Sequence, residues 1–270
     1  MSDRQAIAGS GLGSPKASAG GQGDLVTRAR DFVLAQGDAF QRVRATALFD
    51  PRERSTVCAL LGAIDAAESA AAALEVLDAI GLRRGAEVER AVAILSAAQR
   101  DDGSWSPAGV TEEDARVVRT AQIAGYLAKT ICARPAVLRA AGAFLAAHWG
   151  PERVQGGDPR AIAGFAHWYA NTDDELSDAA LQWCGRELER GFRTGAIDAL
   201  GTARVFALCD AQALPGARLS ADEVVLSLAA AQAPDGGFGA GFDPIPRRVE
   251  ATLDALAALA RLAPRAFRSA

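Results

Sequence analysis

Residues 225–259 read VLSLAAAQAPDGGFGAGFDPIPRRVEATLDALAAL. An apolar run carrying Leu226, Leu228 and Ala229 leads into Gln232. Pro234-Asp235-Gly236-Gly237-Phe238-Gly239 then breaks it, because proline and consecutive glycines do not continue a helix. Beyond Pro244 and Pro246, residues Val249, Thr252, Leu253, Leu256 and Leu259 return at spacings of three and four, the mark of one buried helical face. The stretch predicts a helix, a glycine–aromatic turn and a second helix.

The same unit stands earlier in the chain. RAVAILSAAQRDDGSW (90–105), followed by DARVVRTAQIAGYL (114–127), puts Gln99 and Trp105 where the later copy has Gln232 and Phe238. Both pairs are six residues apart, and Thr120 and Thr252 follow their glutamines by 21 and 20 residues. A worn third copy joins Gln36, Phe40 and Thr56. Two more lack the glutamine: 139–149 leads to Gly164, and 181–191 leads to Thr202. Helix pairs that cannot bury their apolar faces alone stack on one another.

This Gln…Asp-Gly-x-aromatic turn between two helices resembles the repeat of squalene–hopene cyclases and other class II terpene cyclases, and that of protein prenyltransferase β-subunits. The resemblance covers residues 25–262. It implies an all-α fold, an α/α toroid of about six helical hairpins around a central cavity, with the helix before each turn outside and the helix after it inside. The inner set would be 54–66, 112–128, 159–170, 196–212 and 246–262. The activity implied is binding of an isoprenoid or related lipid, with cyclisation or isomerisation by acid catalysis. A non-catalytic toroid, carrying a lipid or serving as a protein scaffold, is the alternative.

Composition sets the bounds. Half of the 270 residues are hydrophobic but only 6% are aromatic; alanine, the best helix former, fills the apolar set, which points to all-α independently of the resemblance. The length suits one large domain, expected over 24–270 behind a disordered Gly/Ser/Ala tail at 1–23. No run of about 18 uncharged apolar residues predicts a membrane span, and the opening segment lacks the apolar core of a signal peptide. A net charge of −4 argues against nucleic acid as the main partner. Cys58, Cys132, Cys184 and Cys209 form no CxxC pair and read as small apolar residues in a reducing cytoplasm. Helices are expected near 24–36 (capped by Asp24), 41–48, 54–66, 69–82, 86–99, 112–128 (capped by Thr111), 135–148, 159–170, 174–190, 196–212, 220–232 and 246–262.

Class II terpene cyclases protonate an alkene with the middle aspartate of an Asp-x-Asp-Asp motif, which burial must keep protonated. Two stretches compete for that role. Asn171-Thr172-Asp173-Asp174-Glu175 offers Asp173 and Asp174, although acids at a helix start are also ordinary capping chemistry. Arg248-Val249-Glu250-Ala251-Thr252 stands in the expected register and offers Glu250, without the flanking aspartates. No intact motif is present. The prenyltransferase zinc site would need Asp, Cys and His at inner-helix starts; His148, His167 and Cys58 do not supply it, so no metal site is expected.

The proposed inner helices begin near arginines: Arg52 and Arg54, Arg116 and Arg119, Arg160, Arg193, and Arg247 with Arg248. Cations at helix N-termini run against the usual preference. Converging there with free N–H groups, they would hold a diphosphate or carboxylate head; alternatively they pair with nearby acids. Arg116, Arg119, Arg247 and Arg248 are the candidate substrate contacts; His167, Trp168, Tyr169 and Phe165 on 159–170, with Phe206 on 196–212, offer π faces for a carbocation, with core packing as the alternative and Trp168 and Phe206 the chosen candidates. No resident cofactor is expected, with Mg2+ the companion of a diphosphate. A peripheral membrane contact or a protein partner stays open.

Overall fold

A computed structural model of the chain describes residues 19–106 and 112–270. The tail expected over 1–23 lies outside the described residues as far as residue 18, as does Thr111. Fourteen α-helices succeed one another among the described residues: α1 (Ala19–Gln36), α2 (Ala39–Phe49), α3 (Arg54–Leu60), α4 (Ala67–Ala79), α5 (Ala86–Ala98), α6 (Glu113–Ala128), α7 (Pro135–His148), α8 (Glu152–Gln155), α9 (Pro159–Ala170), α10 (Ser177–Thr194), α11 (Ala199–Leu208), α12 (Ala221–Ala231), α13 (Ile245–Leu262) and α14 (Pro264–Ser269). Extended pairing among the described residues is confined to an isolated bridge between Ala213 and Ser220. The chain is all-helical, as its alanine-rich periodicity predicts.

Local chemistry explains most boundaries. Proline opens α7, α9 and α14 at positions where a missing N–H costs nothing. Asp158, Asp198 and Ser220 accept backbone N–H groups at the starts of α9, α11 and α12. Asp38 and Gln41 form a reciprocal capping box that begins α2. Asp24 is no cap: α1 starts earlier, at Ala19, and Asp24 pairs inside it with Arg28 at 3.1 Å. The helix expected over 54–66 stops at Leu60, and the one expected over 196–212 contracts to Ala199–Leu208, because Asp198 caps it and Asp210 adopts a positive φ. The helix placed at 174–190 begins at Ser177, after a turn held by Asp174.

Packing pairs α4 with α5, α6 with α7, α9 with α10, α11 with α12, and α13 with α1. The first members also pack on one another in chain order, and α13 meets α4 again. Thus α4 holds the place that the sequence predicted for 54–66; α3 packs on α2 instead. A contiguous apolar core runs from Leu25 in α1 to Ala266 in α14.

The two strong repeat units are built alike, atom for atom. Gln99 Nε2 donates to the Gly103 carbonyl at 2.9 Å and to Val137 O, at the start of α7, at 3.0 Å. Gln232 Nε2 donates to Gly236 O at 2.9 Å and to Leu25 O, in α1, at 3.0 Å. The backbone N–H groups of Trp105 and Phe238 donate to the Thr120 and Thr252 hydroxyls at 3.0 and 2.9 Å. Gly103 (φ +85°) and Gly236 (φ +89°) sit in left-handed backbone, where a Cβ would also come within 2.2 Å of Ala140 O and 2.4 Å of Arg28 O. One joint therefore links α5 to the next helix pair, and its twin links α12, near the end of the chain, to α1 at its beginning. The third sequence copy makes no such joint: Gln36 and Thr56 are exposed.

Candidate functional site

The helices that follow one another through α4, α6, α9 and α11 enclose a cavity of about 270 Å3. Its apolar wall includes Ala71 and Ile123, with Ala163, Leu188, Val205 and Leu208 opposite. Arg119, Pro159, Arg160 and Gly201, from the first two turns of α6, α9 and α11, lie at one end; Tyr126 and His167 lie deeper. Arg119 is half-buried and forms no ion pair or hydrogen bond with another described residue. Arg160 is exposed beside Asp158 at 3.5 Å.

Glu75, Tyr126, Arg204 and Leu208 are shared with a second chamber of about 40 Å3, bounded also by Asp254 and Arg261 of α13. Arg204 pairs with Glu75, and with Asp254 at 3.5 Å. Its side chain keeps 46% of its surface uncovered, facing these chambers. Burial, opposed by Arg204 and reinforced by Glu75, pushes the Asp254 carboxyl above its ordinary pKa.

Behind the second chamber the C-terminal ends of four helices are locked by ions. Asp78 of α4 accepts from Lys129 Nζ at 3.1 Å, Arg261 Nη2 at 2.9 Å and Arg83 Nε at 3.1 Å. Asp210 approaches Lys129 and Arg261 at 3.4 Å each. Burial alone would raise the Asp78 pKa, but Arg261, Lys129 and Arg83 together hold it below the usual carboxylate value. Lys129 moves the other way: burial lowers its pKa against the pull of Asp78, and the neighbouring Arg261 charge adds to that. With three cations around two carboxylates, the acid is the better satisfied partner. Cations at helix C-termini also suit the macrodipole.

His167 stands between the cavity and this network. It is 1% exposed, its ring meets Tyr126 edge-on at 4.5 Å, and neither ring nitrogen has a hydrogen-bond partner. Burial, with the Lys129 charge behind it, drives its pKa down to about 3.

The sequence-predicted residues are mostly placed elsewhere. Of the four arginines, Arg119 lines the cavity. Arg248 is buried and makes a two-pronged pair with Asp235 of its own turn, both contacts 2.8 Å, with its guanidinium 4.9 Å from the Phe32 ring. Arg116 does the equivalent in the other repeat: it pairs with Asp102 at 2.7 Å and lies over Phe144. Arg247 is 76% exposed, near Asp243. Glu250 faces α2, where Gln41 donates to it at 2.7 Å and Arg44 at 2.8 Å, and it does not line the cavity.

Asp173 is exposed, and Asp174 accepts the Leu176 N–H in the turn after α9, at the end of that helix away from the cavity mouth. Trp168 packs toward α7, 3.1 Å from where a Cβ on Gly142 would stand, and Phe206 is wholly buried. Neither lines the cavity. The residues that do, Glu75, Gln122, Tyr126, His167 and Arg204, share no motif. Their signal in the sequence is polarity on the apolar face of alanine-rich helices, and for Glu75 it emerges only once α4 replaces 54–66.

No protein-family model matches the chain, and neither a curated protein nor a solved structure matches it. No helix among the described residues is long and apolar enough to cross a membrane.

Proposed function

We propose that the chain is an α/α toroid of terpene-cyclase type, whose axial cavity binds a small isoprenoid or similar amphipathic molecule by its anionic head. The observation that carries this reading is Arg119: a half-buried cation, unpaired among the described residues, at the mouth of a cavity whose apolar walls also carry Glu75, Gln122, Arg160 and Arg204. The N-terminal turns of α9 and α11 open at the same end and add partial positive charge. Support for the toroid comes from the cyclic order of helix contacts and from the twin joints of Gln99 and Gln232.

Size limits the ligand. At the roughly 30 Å3 that a water occupies in the liquid, 270 Å3 holds about nine water-sized groups. A ten-carbon geranyl chain is at about that limit; a fifteen-carbon farnesyl chain exceeds it. Titration with dimethylallyl, geranyl and farnesyl diphosphate at low salt should give saturable binding that is strongest for geranyl. Arg119→Gln should weaken it by about 10–100-fold, since a charge-assisted contact contributes roughly 1.5–3 kcal/mol. Absence of saturable binding with all three would refute the reading.

A second reading, acid-catalysed cyclisation or isomerisation, is favoured by Asp254. Its carboxyl is the one whose pKa burial raises beside the cavity, whereas Glu250 is tied to Arg44. Turnover by the wild type that disappears in Asp254→Asn, with binding retained, would establish catalysis. Binding without turnover in either form leaves a carrier.

A further inference from the structure

We infer that Arg204 sets the length of tail that the cavity admits: its guanidinium, held across the ring by Glu75 and Asp254, bars a second chamber behind the first. The inference rests on the cavity being a ligand site, as proposed above, and names the residue that sets its specificity.

The two chambers lie in series. Arg119, Arg160 and Gly201 stand at the mouth, in the first two turns of their helices. Tyr126 and Leu208 each lie seven residues further along α6 and α11, about 10 Å deeper at the rise of a helix. Both line the first chamber and also the second, which continues to Asp78 and Arg261 near the far ends of α4 and α13. A tail entering at the mouth therefore meets Glu75, Tyr126, Arg204 and Leu208 before it can reach the second chamber.

Of these four residues, Arg204 is the one that crosses the passage. It springs from α11 and pairs with Glu75 of α4, and the ring of helix contacts places α13 between those two helices. Its other partner, Asp254 at 3.5 Å, belongs to α13. An ion pair between adjacent helices can lie along the wall, whereas this one spans the interior. Arg204 and Glu75 each keep 46% of their side-chain surface uncovered, so charge holds the bar in place rather than a layer of packed side chains. A hydrocarbon tail that pushed it aside would leave two carboxylates in the interior without their counter-charge, and a methyl group offers nothing to offset that. The bar stops the tail; it does not yield to it.

The test compares geranyl and farnesyl diphosphate by calorimetric titration of the intact chain. The wild type should favour geranyl. Arg204→Ala removes the bar and joins the chambers. At roughly 30 Å3 for each water-sized group, the 40 Å3 of the second chamber and the space vacated by the side chain take about two further methylene groups. Burying two methylenes is worth about tenfold, so the ratio of farnesyl to geranyl affinity should rise by about that factor. A purely structural role for the ion pair would instead weaken both ligands alike. Arg119→Gln, which removes a contact to the head common to both, should leave the ratio unchanged. If Arg204→Ala does not fold, the triple variant with Glu75→Gln and Asp254→Asn leaves no stranded carboxylate and should show the same shift. An unchanged ratio in the folded single or triple variant, or equal affinity of the wild type for both ligands, would overturn the inference while geranyl binding upholds the cavity. Failure of both ligands to bind the wild type would overturn the cavity reading and this inference with it.

Discussion

Replacing Asp78 by asparagine should be among the most damaging single changes in the chain. Asp78 is 5% exposed, and its carboxylate is the shared partner of Lys129, Arg261 and Arg83 at 2.9–3.1 Å. The Lys129 side chain is 1% exposed and that of Arg261 18%, so solvent screens these two little. Arg83, at 38%, adds little beyond what solvent would return. Asparagine keeps the shape but leaves buried cations without their counter-charge, and breaking a buried pair in this way costs about 3–5 kcal/mol.

For a chain of this size each kcal/mol corresponds to about 2–4 °C, so the midpoint of thermal unfolding should fall by about 6–20 °C. Circular dichroism melts provide the measurement. Lys129→Met in the Asp78→Asn background should restore part of the loss, because the stranded ammonium is then gone. The pH dependence has a definite sign. The Asp78 pKa is held below its ordinary value, so its contribution is complete above the unfolded pKa of about 3.9. It is lost as pH falls through the folded value. Wild type and Asp78→Asn should therefore differ at pH 7 and converge in strong acid. A shift of less than about 2 °C at pH 7 would refute the view that this network ties α4, α6 and α13 together.

Arg248→Gln should lower the melting temperature and leave geranyl diphosphate affinity within twofold, because Arg248 holds the Asp235 turn and not the cavity; a large affinity loss without destabilisation would return it to the site. Trp105, 2% exposed with its indole N–H on Leu95 O at 2.8 Å, should cost about 3–5 kcal/mol on truncation to alanine, and a drop below 2 °C would contradict its clamp role. Gln232→Ala removes the bond to Leu25 O; amide exchange should speed up in α1 while α6 and α9 stay protected, and uniform acceleration throughout would speak against a local joint.

Much of the fold was legible because it is written in local chemistry. Helix periodicity, proline openings and the Gln…Asp-Gly-x-aromatic turns placed α5 to α7 and α12 to α13 to within a residue or two. The turn glutamines recur at a fixed spacing, but their partners, Val137 O in α7 and Leu25 O in α1, belong to the neighbouring helix pairs and are not encoded by that spacing. What failed was whatever depended on partners distant in sequence. Arg116 and Arg248 look like free cations along the chain, but their partners Asp102 and Asp235 lie 14 and 13 residues back, in the turn that the same repeat defines. Glu250 stands in the register of an acid, and only the packing of α2 on α13 brings Arg44 and Gln41 onto it. His167 reads as one aromatic among several on α9, and the space that Gly125 leaves for it opposite is not encoded by spacing.

The central claim, that a small amphipathic anion occupies the cavity between α4, α6, α9 and α11, is tested most directly by filling that cavity. Ala163 is half-buried in its wall on α9 and touches none of the charged groups through an ion pair. A phenylalanine there would project into the void, leaving Arg119 and the ion network unaltered. Ala163→Phe should keep the helical circular dichroism spectrum and melt within a few degrees of the wild type, yet lose geranyl diphosphate binding by at least a hundredfold in calorimetric titration. Undiminished binding by a folded Ala163→Phe protein would place the ligand elsewhere and contradict the claim.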